Sequence, residues 1–223
     1  MSPEDMEHVK VLRLRPNELF VVCDGTGFDY VCRLEDPSSN VAVITDTLPS
    51  LGEPSVSCSV YIAYAKGDKM EYAVQKSVEL GAREIVLYPS ARSISIPKDL
   101  EKRTARLQRI ALEAAKQSGR GLVPAVTVAD SFNKAIEDAA NSAIPLFLYE
   151  NEKKTDLRQA LEMRIDALSV SIVAGPEGGF EASEADFARS LGMISVSLGP
   201  RILRCETAPI AALAAVMYHT GNL

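Results

Sequence analysis

At 223 residues the chain can form one large domain, or one ordinary domain with a smaller companion. Hydrophobic residues make up 47% and charged residues 24%, the balance of a globular protein with a real core. The formal net charge of −6 argues against a general coat of nucleic-acid contacts, although it leaves room for a local basic face.

In chain order, the N-terminus "MSPEDMEHVK" is acidic and carries no apolar signal segment, which predicts a cytoplasmic location. Residues 1–57 then read as short strands divided by turns. "VKVLRL", "ELFVVC", "DYVCRL" and "NVAVIT" are separated by "RPN", "DGTG" and "EDPSS", the spacing of a small β-barrel. From Val56 the pattern changes to strands alternating with helices. "VSCSVYIAYA" is a predicted strand, "KMEYAVQKSVELG" a helix ended by Gly81, "EIVLYP" a strand, and residues 99–118 a long helix. "IPLFLYE" and "VSIVAG" are continuous apolar runs, as in buried parallel strands. The helices "TDLRQAL" and "SEADFARSLG" follow them, the second with Ser183 and Asp186 as a predicted N-terminal cap pair. A last strand, "ISVSLG", leads into a terminal helix. This alternation predicts an α/β domain over residues 58–223, built on a mostly parallel sheet.

The longest apolar run, Ile210 to Tyr218, is far short of the ~20 residues of a membrane span and reads as a core helix. Cys23, Cys32, Cys58 and Cys205 show no paired spacing and are expected to be buried thiols. The histidines, His8 and His219, sit in no metal-ligand pattern, so no zinc or iron site is expected.

Ligands of open α/β sheets bind at the carboxyl ends of strands, beside helix N-termini. Three loops fit that position: the end of "IPLFLYE", the loop "AGPEGGF" and the loop "LGPRILRCETA". "GPEGG" lacks the Lys-Ser/Thr ending of a phosphate loop and is not GxGxxG. It is either a plain reversing turn or a loop whose exposed backbone can approach a flat heterocycle. In the third loop, Arg201, Arg204 and Glu206 stand at a strand-to-helix junction, where burial would demand pairing. Either Glu206 pairs with one arginine and staples the loop, or the charges face a ligand. Thr207 is the predicted cap of the terminal helix, with Pro209 in its first turn, and its positive end suits an anion. Cys205 has no neighbouring histidine in sequence and reads as small filler.

From Lys98 to Arg120 there are seven Lys/Arg and three Asp/Glu, a net +4 in an acidic protein. Leu100, Leu107, Ile110, Ala111 and Ala114 fall on one side of the helix; Lys102, Arg106, Arg109 and Lys116 fall on the other. The basic side is either a solvated face or a phosphate-backbone contact. "AKQSGRGLVP" should present Lys116, Gln117, Ser118 and Arg120 on an exposed turn.

Taken together, "KGDKMEYAVQKSVELG", "RIALEAAKQSGRGLVP", "AGPEGGF" and "LGPRILRCETA" resemble the bacterial 16S ribosomal RNA uridine-N3 methyltransferases of the SPOUT superfamily. The matches are ordered and cover residues 66–216, while the first 57 residues look like that family's PUA-like RNA-binding barrel. The resemblance implies a C-terminal trefoil knot holding S-adenosylmethionine, and a homodimer whose substrate is the 16S rRNA of the small ribosomal subunit. It implies a cofactor pocket of Leu148 and Tyr149, then Gly175, Pro176, Glu177, Gly178 and Gly179, then Leu198, Gly199, Ile202, Leu203, Arg204, Thr207 and Ala208. Two departures stand out. Only seven residues precede His8, where the family has another strand-forming run, which predicts a trimmed barrel; and Glu181 stands where the family has Ser or Thr as helix cap.

On that reading Arg201 or Arg204 stabilises negative charge developing on the uracil oxygens, and Glu206 either orients the arginine or accepts the N3 proton. RNA contacts are expected from Arg13, Arg15 and Arg33 in the barrel, and from Lys66, Lys69, Arg92, Arg106, Arg109 and Arg120. Alternatives are a SPOUT methyltransferase acting on another rRNA or tRNA nucleotide, and a non-catalytic RNA-binding or ribosome-assembly module of the same fold.

Overall fold

The computed structural model describes the chain apart from residues 1–6, 8, 10, 12, 16, 35–40, 95, 98 and 164–166. His8 and the residues before Glu7 therefore lie outside the described part, and with them the expectation of a trimmed barrel. The chain divides into two compact units: Met1–Glu53 with Gly119–Val123, and Pro54–Ser118 with Pro124–Leu223.

The first unit is built on three antiparallel strands in the order β1-β2-β3: β1 (Leu19–Cys23), β2 (Phe28–Arg33) and β3 (Val43–Pro49). The fourth strand expected at "VKVLRL" is not extended where it is described, since Val9 and Val11 are helical. Val9 is 8% exposed and Val11 72%, whereas a strand would turn both to the same face. Residues 119–123 join this unit through backbone hydrogen bonds. The Gly27 N–H donates to the Gly121 carbonyl at 2.9 Å, and the Val123 N–H to the Gly25 carbonyl at 3.1 Å. Gly121 is required there, because a Cβ would run into the Ser50 side chain.

Arg120 overturns one expectation. Its side chain is 3% exposed, and its guanidinium donates to Glu53 Oε2 at 2.6 Å. Glu53 Oε1 also accepts the Leu122 N–H at 3.0 Å. A guanidinium has no neutral form at working pH, so a buried one must find a carboxylate. Arg120 is thus a tie within the first unit and not an exposed cation.

The second unit holds a six-stranded, all-parallel sheet in the order β6-β5-β4-β8-β7-β9. The strands are β4 (Ser57–Ala63), β5 (Glu84–Tyr88), β6 (Ala125–Val128), β7 (Ile144–Leu148), β8 (Ser169–Ala174) and β9 (Ile194–Val196). Helices alternate with them: α1 (Lys69–Glu79), α2 (Leu100–Ser118), α3 (Phe132–Ala139), α4 (Leu157–Glu162), α5 (Ala182–Ser190) and α6 (Thr207–His219). Every residue of β7 is buried, as its unbroken apolar run requires of a strand covered on both faces. β6 and α3 were not foreseen, because "AVTV" is short and half-exposed and gives no clear period.

Cap positions differ from expectation. Helix α5 is capped by Glu181, with the Glu184 carboxylate accepting the Glu181 N–H at 2.9 Å, so Ser183 lies inside the helix and is not its cap. Helix α6 is capped by Glu206, which makes Thr207 its first turn. On α2 the buried side chains are Leu107, Ala111, Ala114 and Ala115, whereas Leu100 is exposed. Among the described residues, no helix is long and apolar enough to cross a membrane.

Replacing Glu53 with Ala takes the carboxylate away from the buried Arg120 guanidinium and should cost on the order of 3 kcal/mol. Amide hydrogen exchange in β1–β3 should accelerate about a hundredfold, and Glu53→Gln should fall between the two.

Candidate active site

The strands β8, β7 and β9 are neighbours in the sheet, so the loops leaving their carboxyl ends converge although they are far apart in sequence. They enclose a cleft of about 540 Å³. Leu148 and Tyr149 form one wall, Gly175 to Phe180 a second, and Leu198 to Cys205 with Ala208 the third. Of the cofactor positions implied by the resemblance, only Thr207 does not line it. Lys69, Glu150, Phe180, Val196, Ser197, Pro200 and Cys205 line it as well, and were not assigned to the cofactor from sequence.

The second wall is shaped by glycine. A Cβ on Gly175 would stand 2.9 Å from the Phe180 ring. Gly179 has φ +67°, and a Cβ there would meet the Glu150 carboxylate. Within this wall Glu177 Oε1 accepts the Lys66 N–H at 2.9 Å and the Lys69 ammonium at 3.0 Å. Burial raises the Glu177 pKa, but the hydrogen bonds from Lys66, its own N–H and Lys69 outweigh it, leaving the carboxyl below its ordinary value. The hydrogen bond to Glu177 in turn raises Lys69. Glu177 Oε2 is buried and has no hydrogen-bond partner among the described residues.

The third wall corrects the idea of a buried charged junction. Arg201 is exposed, and the Arg204 side chain is 82% exposed, with its nearest approach to Glu206 a loose 3.9 Å. Such a pair contributes little. Glu206 is 13% exposed and does not line the cleft; its Oε2 accepts the Cys205 thiol at 3.2 Å. Burial, that hydrogen bond and the nearby carboxylates push Cys205 up to about 12.

Residues 52–217 match the RNA methyltransferase domain family, and residues 3–45 match the RNA methyltransferase PUA domain. The chain belongs to this RNA methyltransferase family. Two relatives carry the name ribosomal RNA small subunit methyltransferase E. The Bacillus subtilis protein is 33% identical, over 100% of this chain and 91% of its own. The Mesomycoplasma hyopneumoniae protein is 34% identical, over 93% of this chain and 88% of its own. Among solved structures, the Neisseria gonorrhoeae enzyme of that name, bound to S-adenosyl methionine, superposes with a TM-score of 0.81. It is 32% identical and covers 98% of this chain and 90% of its own. The parallel α/β unit and the small antiparallel one agree with the SPOUT-type and PUA-like expectations.

Other residues of interest in this methyltransferase chain are scattered. Arg13, Arg15, Lys66 and Arg109 are exposed, and Arg33 is half-buried at the end of β2. Arg106 is 55% exposed and donates to Glu71 at 2.8 Å, a carboxylate it shares with Arg103. Cys32 and Cys58 are buried as expected, but Cys23 is exposed, with its thiol on Asp29 at 2.9 Å.

A thiol held near 12 is almost wholly protonated at pH 8, and thiolate is the reactive form. Iodoacetamide should therefore modify Cys205 of the folded protein at least about a hundredfold more slowly than a free cysteine, by peptide mass mapping at pH 8. In denaturant this protection should vanish; rapid labelling of the folded protein would contradict the assigned environment.

Proposed function

We propose that this chain methylates N3 of a specific uridine in the 16S rRNA of the small ribosomal subunit, with S-adenosylmethionine as methyl donor. The observation that carries this reading is the cleft where the loops after β7, β8 and β9 meet. The residues present fit that donor. Glycines 175, 178 and 179 line the cleft without side chains of their own, and the apolar residues Leu148, Leu198 and Leu203 offer surface to an adenine ring. Gonococcal methyltransferase E, 32% identical, is bound to S-adenosyl methionine. When bound, the donor supplies an electrophilic methyl group carried on a sulfonium.

The chain's own part is positioning and electrostatics. Uridine N3 carries a proton at neutral pH, so the ring must become anionic as it reacts. Exposed guanidiniums of Arg201 and Arg204 at the rim of the cleft can meet uracil oxygens and stabilise that charge. Glu206 lies outside the cleft lining with Oε2 engaged by Cys205, which argues against a proton-accepting role, and at 3.9 Å its hold on Arg204 is loose. The base must be presented out of any stack.

The RNA contacts assigned to this reading are Arg13, Arg15 and Arg33 in the first unit, and Lys66, Lys69, Arg92, Arg106 and Arg109 in the second. A homodimer and a cytoplasmic location belong to it. So does a trefoil knot closed by the terminal segment, supported by β7 lying between β8 and β9, so that both connections around it cross over.

N3-methylation blocks the Watson–Crick edge. Incubating small subunits that lack the modification with the protein and S-adenosylmethionine should therefore create one new reverse-transcription stop in 16S rRNA. No stop, with methyl groups appearing elsewhere or nowhere, would refute the assignment. Arg204→Ala should slow formation of that stop at least about tenfold, and a rate within about threefold of the parent would remove Arg204 from the mechanism. Reversing the charge of Arg106 and Arg109 to Glu should weaken RNA binding and flatten its dependence on salt; an unchanged slope would make that helix face merely solvated.

A further inference from the structure

The Gly175–Gly179 loop is tied not only to the cleft but to a turn on its outer side. After β5 the chain makes a compact turn in which the Ser93 N–H donates to the Ser90 carbonyl at 2.9 Å, and the Ser90 N–H to Ser93 Oγ at 3.1 Å. Glu184, 7% exposed, fixes this turn. Its Oε1 accepts the Ser90 hydroxyl and the Ala91 N–H, each at 2.9 Å, while its Oε2 accepts the Glu181 N–H at 2.9 Å. One buried carboxylate therefore holds together the turn after β5 and the helix start that follows the glycine loop.

Arg92 springs from that turn. Its guanidinium donates to the Gly178 carbonyl at 3.1 Å, and its Nε stands 3.8 Å from Glu181 Oε1. The side chain is half-exposed, at 50%. The approach depends on glycine, since a Cβ on Gly178 would sit 3.0 Å from the Arg92 Cβ. Arg106 is paired with Glu71 while still exposed and Arg120 is buried on Glu53, whereas Arg92 joins solvent on one side to the backbone of the second cleft wall on the other.

We infer that Arg92 is a positioning residue that couples an RNA phosphate on the outside of this loop to the methyl donor on the inside; the inference rests on the RNA methyltransferase reading above. A planar guanidinium carries five N–H donors, so one can stay on the Gly178 carbonyl while a free edge takes a phosphate bidentately. A phosphate on that edge orders a side chain that is otherwise half-free, and the ordering entropy is then already lost when the donor needs the loop held. RNA and cofactor thus bind with positive cooperativity, and by linkage each strengthens the other by the same factor. Lysine cannot substitute, because a compact ammonium lacks the fork that spans both partners.

The test uses the full chain, S-adenosylhomocysteine as an unreactive cofactor probe, and small subunits lacking the modification. Co-sedimentation gives the Kd for subunits with and without saturating S-adenosylhomocysteine. For the parent, the probe should tighten subunit binding by about five- to tenfold, within the usual range of such coupling. Arg92→Lys keeps the charge and should bring that ratio to about one. Arg92→Ala should do the same while also weakening subunit binding itself. A parent ratio of one, or a parent-like ratio in Arg92→Lys, overturns the inference. A parent that binds S-adenosylhomocysteine by calorimetry but not subunits at either condition overturns the RNA reading on which it rests.

Discussion

Strand β8 hydrogen-bonds in parallel to β4 along one edge and to β7 along the other, and the active cleft depends on that double pairing. Parallel pairing sends every carboxyl end to the same side of the sheet. With β9 added outside β7, loops that begin near residues 148, 174 and 196 become spatial neighbours. Parallel strands need crossovers, and α4 and α5 supply them; α4 packs on β7 and β9 and α5 on β9, while α3 and α6 pack on β8. Ladder hydrogen bonds offset the cost of burying the polar backbone of these strands, Pro145 of β7 having no N–H to pair.

A second device recurs throughout this acidic chain. Glu53, Glu177 and Glu184 each accept a backbone N–H and a side-chain donor from a segment far away in sequence. The separations are large: Glu53 with Arg120 spans 67 residues, Glu184 with Ser90 spans 94, and Glu177 with Lys66 spans 111. A carboxylate suits this work because it accepts several hydrogen bonds at once, and charge strengthens each one. These three carboxylates thus close loops and do not simply coat the surface. Two of these three ties bear on the glycine loop: Glu177 lies within it, and Glu184 lies in the helix that follows it.

Element types were legible wherever period or length was strong. The apolar runs of β7 and β8 and the long basic helix α2 fall where the pattern put them. The glycine-rich second loop could be nominated as a ligand wall because glycine is needed wherever a Cβ would collide. At Gly175 and Gly179 the colliding groups are Phe180 and Glu150. Weak patterns misled in both directions. "VKVLRL" alternates well enough for a strand but is helical at Val9 and Val11, and "AVTV" is too short to announce β6. Caps shifted by one or two residues, because Glu181 and Glu206 start helices that the neighbouring Ser183 and Thr207 seemed better suited to cap.

What the amino-acid order determined by itself was local: strand and helix alternation, through hydrophobic period, and the sites of tight turns, through glycine. The family motifs lie in those same local segments, so the walls of the cleft could be named residue by residue. Only the tertiary structure decided what each charge does. Arg120 is buried on Glu53, Arg204 is exposed at the rim 3.9 Å from Glu206, and Arg92 reaches the Gly178 carbonyl. The reason is that an arginine's role depends on its solvent exposure and on its partner. Both are set by strand pairing between distant segments, which local spacing does not encode.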